Sequence, residues 1–188
     1  MYEKIIKRLI DIIFSIFVFF ILSPLIIIVS LLIKTYDGGK IIFRQKRVGK
    51  NEKVYDFLKF RSMPENTKNV PSTAVKELKV TPIGKFIRRT NLDEIPQFIN
   101  VLKGEMSVIG PRPSLTSQID VIELRRSKGV YKLLPGLTGL AQVNSFDGMT
   151  AEQKVSFDER YLKEISFLTD IKIVLKTFKY FLKKPPTY

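Results

Sequence analysis

The stretch RRTNLDEIPQ, residues 88–97, places two arginines, the adjacent carboxylates Asp93 and Glu94, and a proline within ten positions. The 188-residue chain has no His and no Cys. A histidine-based triad, thiol nucleophiles and disulfides are therefore excluded, and zinc, copper and haem lack their usual ligands. Chemistry must run on carboxylates, lysines and arginines. Any metal is a hard, oxygen-liganded ion, for which Mg²⁺ is the expectation.

Pro96 is tolerated only in a first helical turn, so the spacing predicts a helix that begins near Asp93 and ends near Gly104. Both carboxylates would then sit at its N-terminus, where unpaired N–H groups and the positive end of the dipole stabilise anions. With Arg88 and Arg89 just upstream, at least one carboxylate stays ionised, as a nucleophile or a metal ligand requires. The same groups suit a phosphate. An Asp cap with Glu paired to a nearby arginine is the structural alternative, and spacing alone leaves it open.

Several elements must position this pair. IIFSIFVFFILSPLIIIVSLLI, from Ile12 to Ile33, carries no charge. At about 1.5 Å per residue it is roughly 33 Å of helix, enough for one membrane crossing and too long for a signal-peptide core. Basic residues flank both ends, where the positive-inside rule expects them on one side only. Ser23-Pro24 lies in the middle: proline removes a helix hydrogen bond, and the serine hydroxyl can satisfy the freed carbonyl. A helix broken there could turn back to the face it entered; a mildly kinked span is the alternative.

From Lys40 to Met63 two runs rich in Ile, Val, Phe and Tyr surround Gly49-Lys50-Asn51, a hairpin pattern. Alternation puts Tyr55, Phe57, Lys59 and Arg61 on one face of the second strand. Pro64 to Ala74 reads as loop, and Thr81-Pro82 as the cap and first residue of a short helix running to Arg89. GEMSVIGPRPS and LLPGLTGLAQVN read as turn-rich links. Thr150 and Gln153 form a capping box opening a helix through about Glu164.

In the last segment Phe167, Leu168, Ile171, Val174, Leu175, Phe178, Phe181 and Leu182 form an apolar stripe opposite Lys172, Lys176, Lys179 and Lys183. Such a helix can lie in a membrane interface or pack on a core. The net charge of +14, from 32 Lys+Arg against 18 Asp+Glu, points to anionic partners.

FRQKRVG, LKFRSM, RRTNLDEIPQFINVLKGEMSVIGPRP and PGLTGLAQVN follow in order behind the apolar Ser-Pro segment. That set resembles the bacterial sugar transferase family, the small monotopic polyprenyl-phosphate phosphoglycosyl transferases, over almost the whole chain. The short chain, with no further transmembrane domain ahead of the apolar segment, is most similar to the branch serving Campylobacter-type N-linked protein glycosylation.

The resemblance implies an α+β fold: a re-entrant membrane helix over residues 1–34, broken at Ser23 and Pro24, and a cytoplasmic catalytic domain over 35–188. That domain would hold a small β-hairpin sheet and basic amphipathic interfacial helices. It would rest on the inner face of the bacterial cytoplasmic membrane. The implied activity moves a phospho-sugar from a UDP-sugar to undecaprenyl phosphate and releases UMP. UDP-N,N′-diacetylbacillosamine or another N-acetylated sugar would be the donor. Other enzymes of glycan assembly would be neighbours on the phospholipid bilayer.

By the same resemblance Asp93 is the nucleophile, and Glu94 a Mg²⁺ ligand that could also act as a base. Lys59 and Arg88 contact phosphate, and Pro111, Arg112 and Pro113 form the nucleotide-binding motif. Gln142 and Asp158 take substrate or structural roles. The remaining basic residues belong to solvated faces and lipid headgroups. A nucleic-acid binder would interleave basic and aromatic residues around a reading element, and none is visible, so no nucleic-acid partner is expected. A nucleotide-sugar hydrolase and a non-catalytic scaffold are the remaining rivals.

Overall fold

The computed structural model describes residues 2–65, 67, 80–145 and 149–181. Most of the loop expected over Pro64–Ala74 lies outside them, as do Leu182 and Lys183 of the last stripe. A π-helical turn, Tyr2–Ile6, leads into α1, Lys7–Asp37. Strands β1 (Ile42–Val48) and β2 (Val54–Phe60) pair antiparallel from Ile42↔Phe60 to Val48↔Val54, with a short 3₁₀ turn, Lys50–Glu52, in the connection. Then come α2 (Pro82–Arg89), a 3₁₀ turn (Leu92–Glu94), α3 (Gln97–Lys103), β3 (Ser107–Ile109) and β4 (Ser114–Leu115). The chain continues through α4 (Ile119–Ser127), a 3₁₀ turn (Val130–Lys132), β5 (Gly136–Thr138) and α5 (Leu140–Val143). It closes with α6 (Ala151–Glu164) and α7 (Phe167–Phe181).

β4 adds to the free edge of β1, giving the order β2-β1-β4, and β3 pairs parallel with β5. The fold is α+β. The hairpin, the Thr81-capped helix and the Thr150/Gln153 capping box stand as the sequence predicts. The two stretches read as links contain β3, β4, β5 and α5 instead. Such strands of two or three residues are too short for an alternation pattern and exist only through their partners.

α1 is the one helix among the described residues long and apolar enough to cross a membrane. Contrary to the expected break, it stays helical through Pro24. Pro24 cannot donate to the Phe20 carbonyl, and Ser23 Oγ does so at 2.9 Å, so the lost bond is replaced locally.

Both ends of α1 are held on one body. Lys7 Nζ and the Tyr2 hydroxyl donate to Asp170 Oδ2 at 2.7 and 2.6 Å, and the Tyr161 hydroxyl donates to Oδ1 at 2.6 Å. Arg8 caps the Val101 and Leu102 carbonyls at the end of α3. Midway, Phe14 and Phe19 flank Phe98, with ring centroids at 5.9 and 6.3 Å. Toward the C-terminal end, Val29 and Ile33 join Phe60, Ile87 and Ile95 in a core cluster.

α7 has two apolar faces, where one was expected. Asp170 and Ile173 are buried inward, while Leu168, Ile171, Leu175 and Phe178 point outward and stay exposed beside Lys172, Lys176 and Lys179.

Candidate active site

The carboxylates lie one turn ahead of α3, not on its first residues. Asn91 takes the left-handed conformation, φ 55°, that Asn tolerates better than most residues, and reverses the chain after α2. Leu92–Glu94 then make 3₁₀ bonds, Glu94 N to Asn91 O at 3.1 Å and Ile95 N to Leu92 O at 3.2 Å, and α3 proper starts after Pro96. Proline explains the shift: without an N–H, Pro96 contributes no backbone bond back to Leu92, so the α-helical ladder begins behind it. Ile95 anchors this turn in the core against Val29 and Ile33 of α1.

Side chains from other elements, rather than helix N–H groups, hold the pair. Lys59 projects from β2, on the face that alternation predicts, and its Nζ donates to Asp93 Oδ2 at 3.3 Å and Glu94 Oε1 at 2.8 Å. The Phe57 ring lies under Lys59 Nζ at 5.7 Å from its centroid, and under the Arg47 guanidinium at 5.1 Å. Arg112 NH2 donates to the same Glu94 Oε1 at 3.2 Å. Arg88 donates through Nε to Ser62 Oγ at 2.8 Å, and its charge bears on Asp93.

The two acids titrate apart. Burial pushes Asp93 above the usual carboxylate range; Lys59 opposes this, and the neighbouring Glu94 charge adds to it. Burial would raise Glu94 too, but Lys59 and Arg112 outweigh it and hold Glu94 at about 2. A buried carboxyl beside a firmly ionised partner is an arrangement that divides roles between two acids.

Asp93, Glu94, Lys59 and Arg112 thus form one connected constellation, with Arg88 in electrostatic reach. Pro111 and Pro113 are buried beside it and fix the turn that carries Arg112. No hydrogen bond joins Gln142 or Asp158 to the carboxylates among the described residues. Gln142 Nε2 donates to the Leu137 carbonyl at 3.1 Å, and its Oε1 is buried without a partner. Asp158 is buried in an ion pair with Arg125 at 2.6 Å.

Several basic residues depart from the surface roles assigned to them. Lys7, Arg61 and Arg125 are buried, and Arg47 is half-buried. Burial and the like charge of Arg112 lower Arg47 to about 10. A signal for Arg125 lies in α4, where it falls four and three residues after the inward-facing Val121 and Ile122.

No cluster of three or more acidic side chains occurs among the described residues. Two adjacent carboxylates are nonetheless a donor set that Mg²⁺ takes from proteins when substrate phosphates and water complete its shell.

The profile of the bacterial sugar transferase family matches residues 2–184. The UDP-glucose:undecaprenyl-phosphate glucose-1-phosphate transferase of Klebsiella pneumoniae is 40% identical over 97% of this chain and 41% of its own length. The undecaprenyl-phosphate galactose phosphotransferase of Salmonella typhimurium is 36% identical over 99% of this chain and 42% of its own. Exopolysaccharide production protein ExoY of Sinorhizobium fredii is 34% identical over 91% of this chain and 83% of its own. The chain thus spans about two fifths of the first two relatives and most of the third. With the profile matched over residues 2–184 and ExoY over 83% of its length, the chain belongs to the bacterial sugar transferase family.

Proposed function

We propose that this protein transfers a phospho-sugar from a UDP-sugar to undecaprenyl phosphate and releases UMP. The observation that carries the reading is the buried Asp93, bridged to an ionised Glu94 by Lys59 and bordered by Arg112. Relatives named for transfer from UDP-glucose, for galactose and for N-acetylgalactosamine support the donor and acceptor classes.

In this reaction an Asp93 carboxylate oxygen attacks the phosphorus that bears the sugar. The bond from that phosphorus to the bridging oxygen breaks, and UMP leaves with its electron pair. An oxygen of undecaprenyl phosphate then attacks the acyl-phosphate phosphorus, the Asp93–phosphorus bond breaks, and the carboxylate is regenerated. Lys59 and Arg112 lie where they can offset the charge of a diphosphate beside two acids. Glu94, kept ionised, is the ligand suited to Mg²⁺, which would supply further charge neutralisation when bound. For the sugar, an N-acetylated UDP-sugar such as UDP-N,N′-diacetylbacillosamine leads the test panel, which places the reaction at the first membrane step of N-linked glycan assembly.

The same reading puts the catalytic body at the cytoplasmic face of the bacterial inner membrane, with α1 re-entrant. Two observations support it: both ends of α1 grip one body, and the exposed apolar faces of α1 and α7 require an apolar medium.

Incubation with UDP-sugar and Mg²⁺, without the lipid, should leave phospho-sugar on the protein. Intact-mass spectrometry and peptide mapping should place it at Asp93, and Asp93→Asn should show neither adduct nor turnover. UMP release only in the presence of both substrates, with Asp93 unmodified, would overturn the covalent route.

A further inference from the structure

Three successive carbonyls of the Pro111-Arg112-Pro113 turn are each held by a different part of the fold. The Gly136 N–H donates to Pro111 O at 2.9 Å. Arg125 NH1 donates to Arg112 O at 2.7 Å, and Arg47 NH1 to Pro113 O at 3.1 Å. The flanking prolines fix two φ angles and restrict the residue between them. Such a turn has almost no backbone freedom left.

The strongest of these grips is built from buried charge. Arg125 is 5% exposed and Asp158 only 1%, and Arg125 directs Nε and NH2 onto Asp158 Oδ2 at 3.0 and 2.6 Å. A buried guanidinium needs both a counter-charge and partners for its remaining N–H groups. Asp158 supplies the first, and the Arg112 carbonyl takes the N–H on the far side. A continuous chain of polar contacts therefore runs from Asp158 on α6, through Arg125 on α4 and the Arg112 backbone, to the Arg112 side chain on Glu94.

We propose that Arg125, charge-balanced by Asp158, and Arg47 are positioning residues that preset Arg112 for the nucleotide half of the donor. They touch neither acid; they act by fixing the backbone from which Arg112 projects. A guanidinium already in place loses less freedom when a diphosphate arrives, so the advantage falls on donor binding. The acceptor lipid, which enters after UMP has left, gains nothing from it. This inference rests on the UDP-sugar reading of the site.

Arg125→Lys keeps a cation opposite Asp158, but one ammonium cannot reproduce the planar fork that spans Asp158 and the Arg112 carbonyl. It should raise the KM for the UDP-sugar on the order of tenfold, with the KM for undecaprenyl phosphate unchanged. In an Arg112→Ala background the same change should add nothing, because its effect passes through Arg112.

Equal rises in both KM values, or an undiminished effect when Arg112 is already Ala, would overturn the proposal in favour of a general structural role. Should thermal melting show Arg125→Lys to be unfolded, Arg47→Lys carries the same expectation. It loosens the next carbonyl and leaves the Arg125–Asp158 pair intact. A wild-type protein that releases no UMP from any UDP-sugar overturns the transferase reading itself. A wild type that turns over, with both variants matching it, overturns only the positioning role.

Discussion

Asp93 and Glu94 share a short turn and a lysine, yet burial pulls one upward while Lys59 and Arg112 hold the other at about 2. The ionised form of a carboxylate is the nucleophile, so turnover should rise with pH through the folded pKa of Asp93, which lies above its ordinary 3.8. Lys59 is the largest influence opposing that rise. Lys59→Met should therefore move the acid limb of the kcat/KM profile to higher pH as well as lower the rate. A limb that stays put would show that another group titrates there. Glu94 works in the opposite sense: its depressed pKa contributes stability that is complete above about 4.5 and is lost as pH falls toward about 2. Its proposed metal role has a separate check. EDTA should abolish turnover and Mg²⁺, without zinc, should restore it; turnover that persisted in EDTA would remove Glu94 from that role.

Elements bring these residues together, and here the sequence is readable only in part. Lys59 follows from the alternation Tyr55, Phe57, Lys59, and Asp93-Glu94 from adjacency, because both rest on local periodicity. That Lys59 meets the two acids does not follow, since β2 and the turn before α3 lie more than thirty residues apart. Arg125 and Asp158 are equally distant partners, each solvating the other's charge, so a reading that sends the remaining basic residues to solvated faces misplaces Arg125. The same holds for Asp170, a lone acid on a basic helix whose partners Lys7 and Tyr2 come from the other end of the chain. Asp170→Ala would strand a buried ammonium and two hydroxyls and should cost about 3–5 kcal/mol in denaturant unfolding of the detergent-solubilised protein. Arg126→Ala, which breaks only an exposed pair with Glu52, should cost less than about 1 kcal/mol. Equal losses would mean that the Asp170 cluster does not join α1 to the body.

At the scale of the whole molecule the question is how a 31-residue helix, about 46 Å if straight, meets the membrane while both its ends hold one body. Near its middle Phe20 is 80% exposed, with Phe17 and Ile21 beside it, whereas Lys7, Asp11 and Ser15 before it and Val29 and Ile33 after it are buried. A span would carry one end through the bilayer and away from these contacts. The proposed re-entry would keep both, with Phe20 as the deepest point and the outer face of α7 along the interface. Because the chain has no native cysteine, single introduced ones are clean reporters. Glu3→Cys near the start of the chain and Lys172→Cys on α7 should both resist a membrane-impermeant maleimide in intact cells and both react once the cells are permeabilised. Labelling of Glu3→Cys alone in intact cells would establish a true span and sink the re-entrant reading. Ser23 and Pro24 should matter together: replacing both with Leu restores the ordinary backbone bond to Phe20 and straightens the preference of the helix. The Asp170 grip opposes a crossing, so the double replacement should shift labelling only partly. Adding Asp170→Asn to it should expose Glu3→Cys further, because loss of the carboxylate charge weakens the grip on Lys7 and Tyr2.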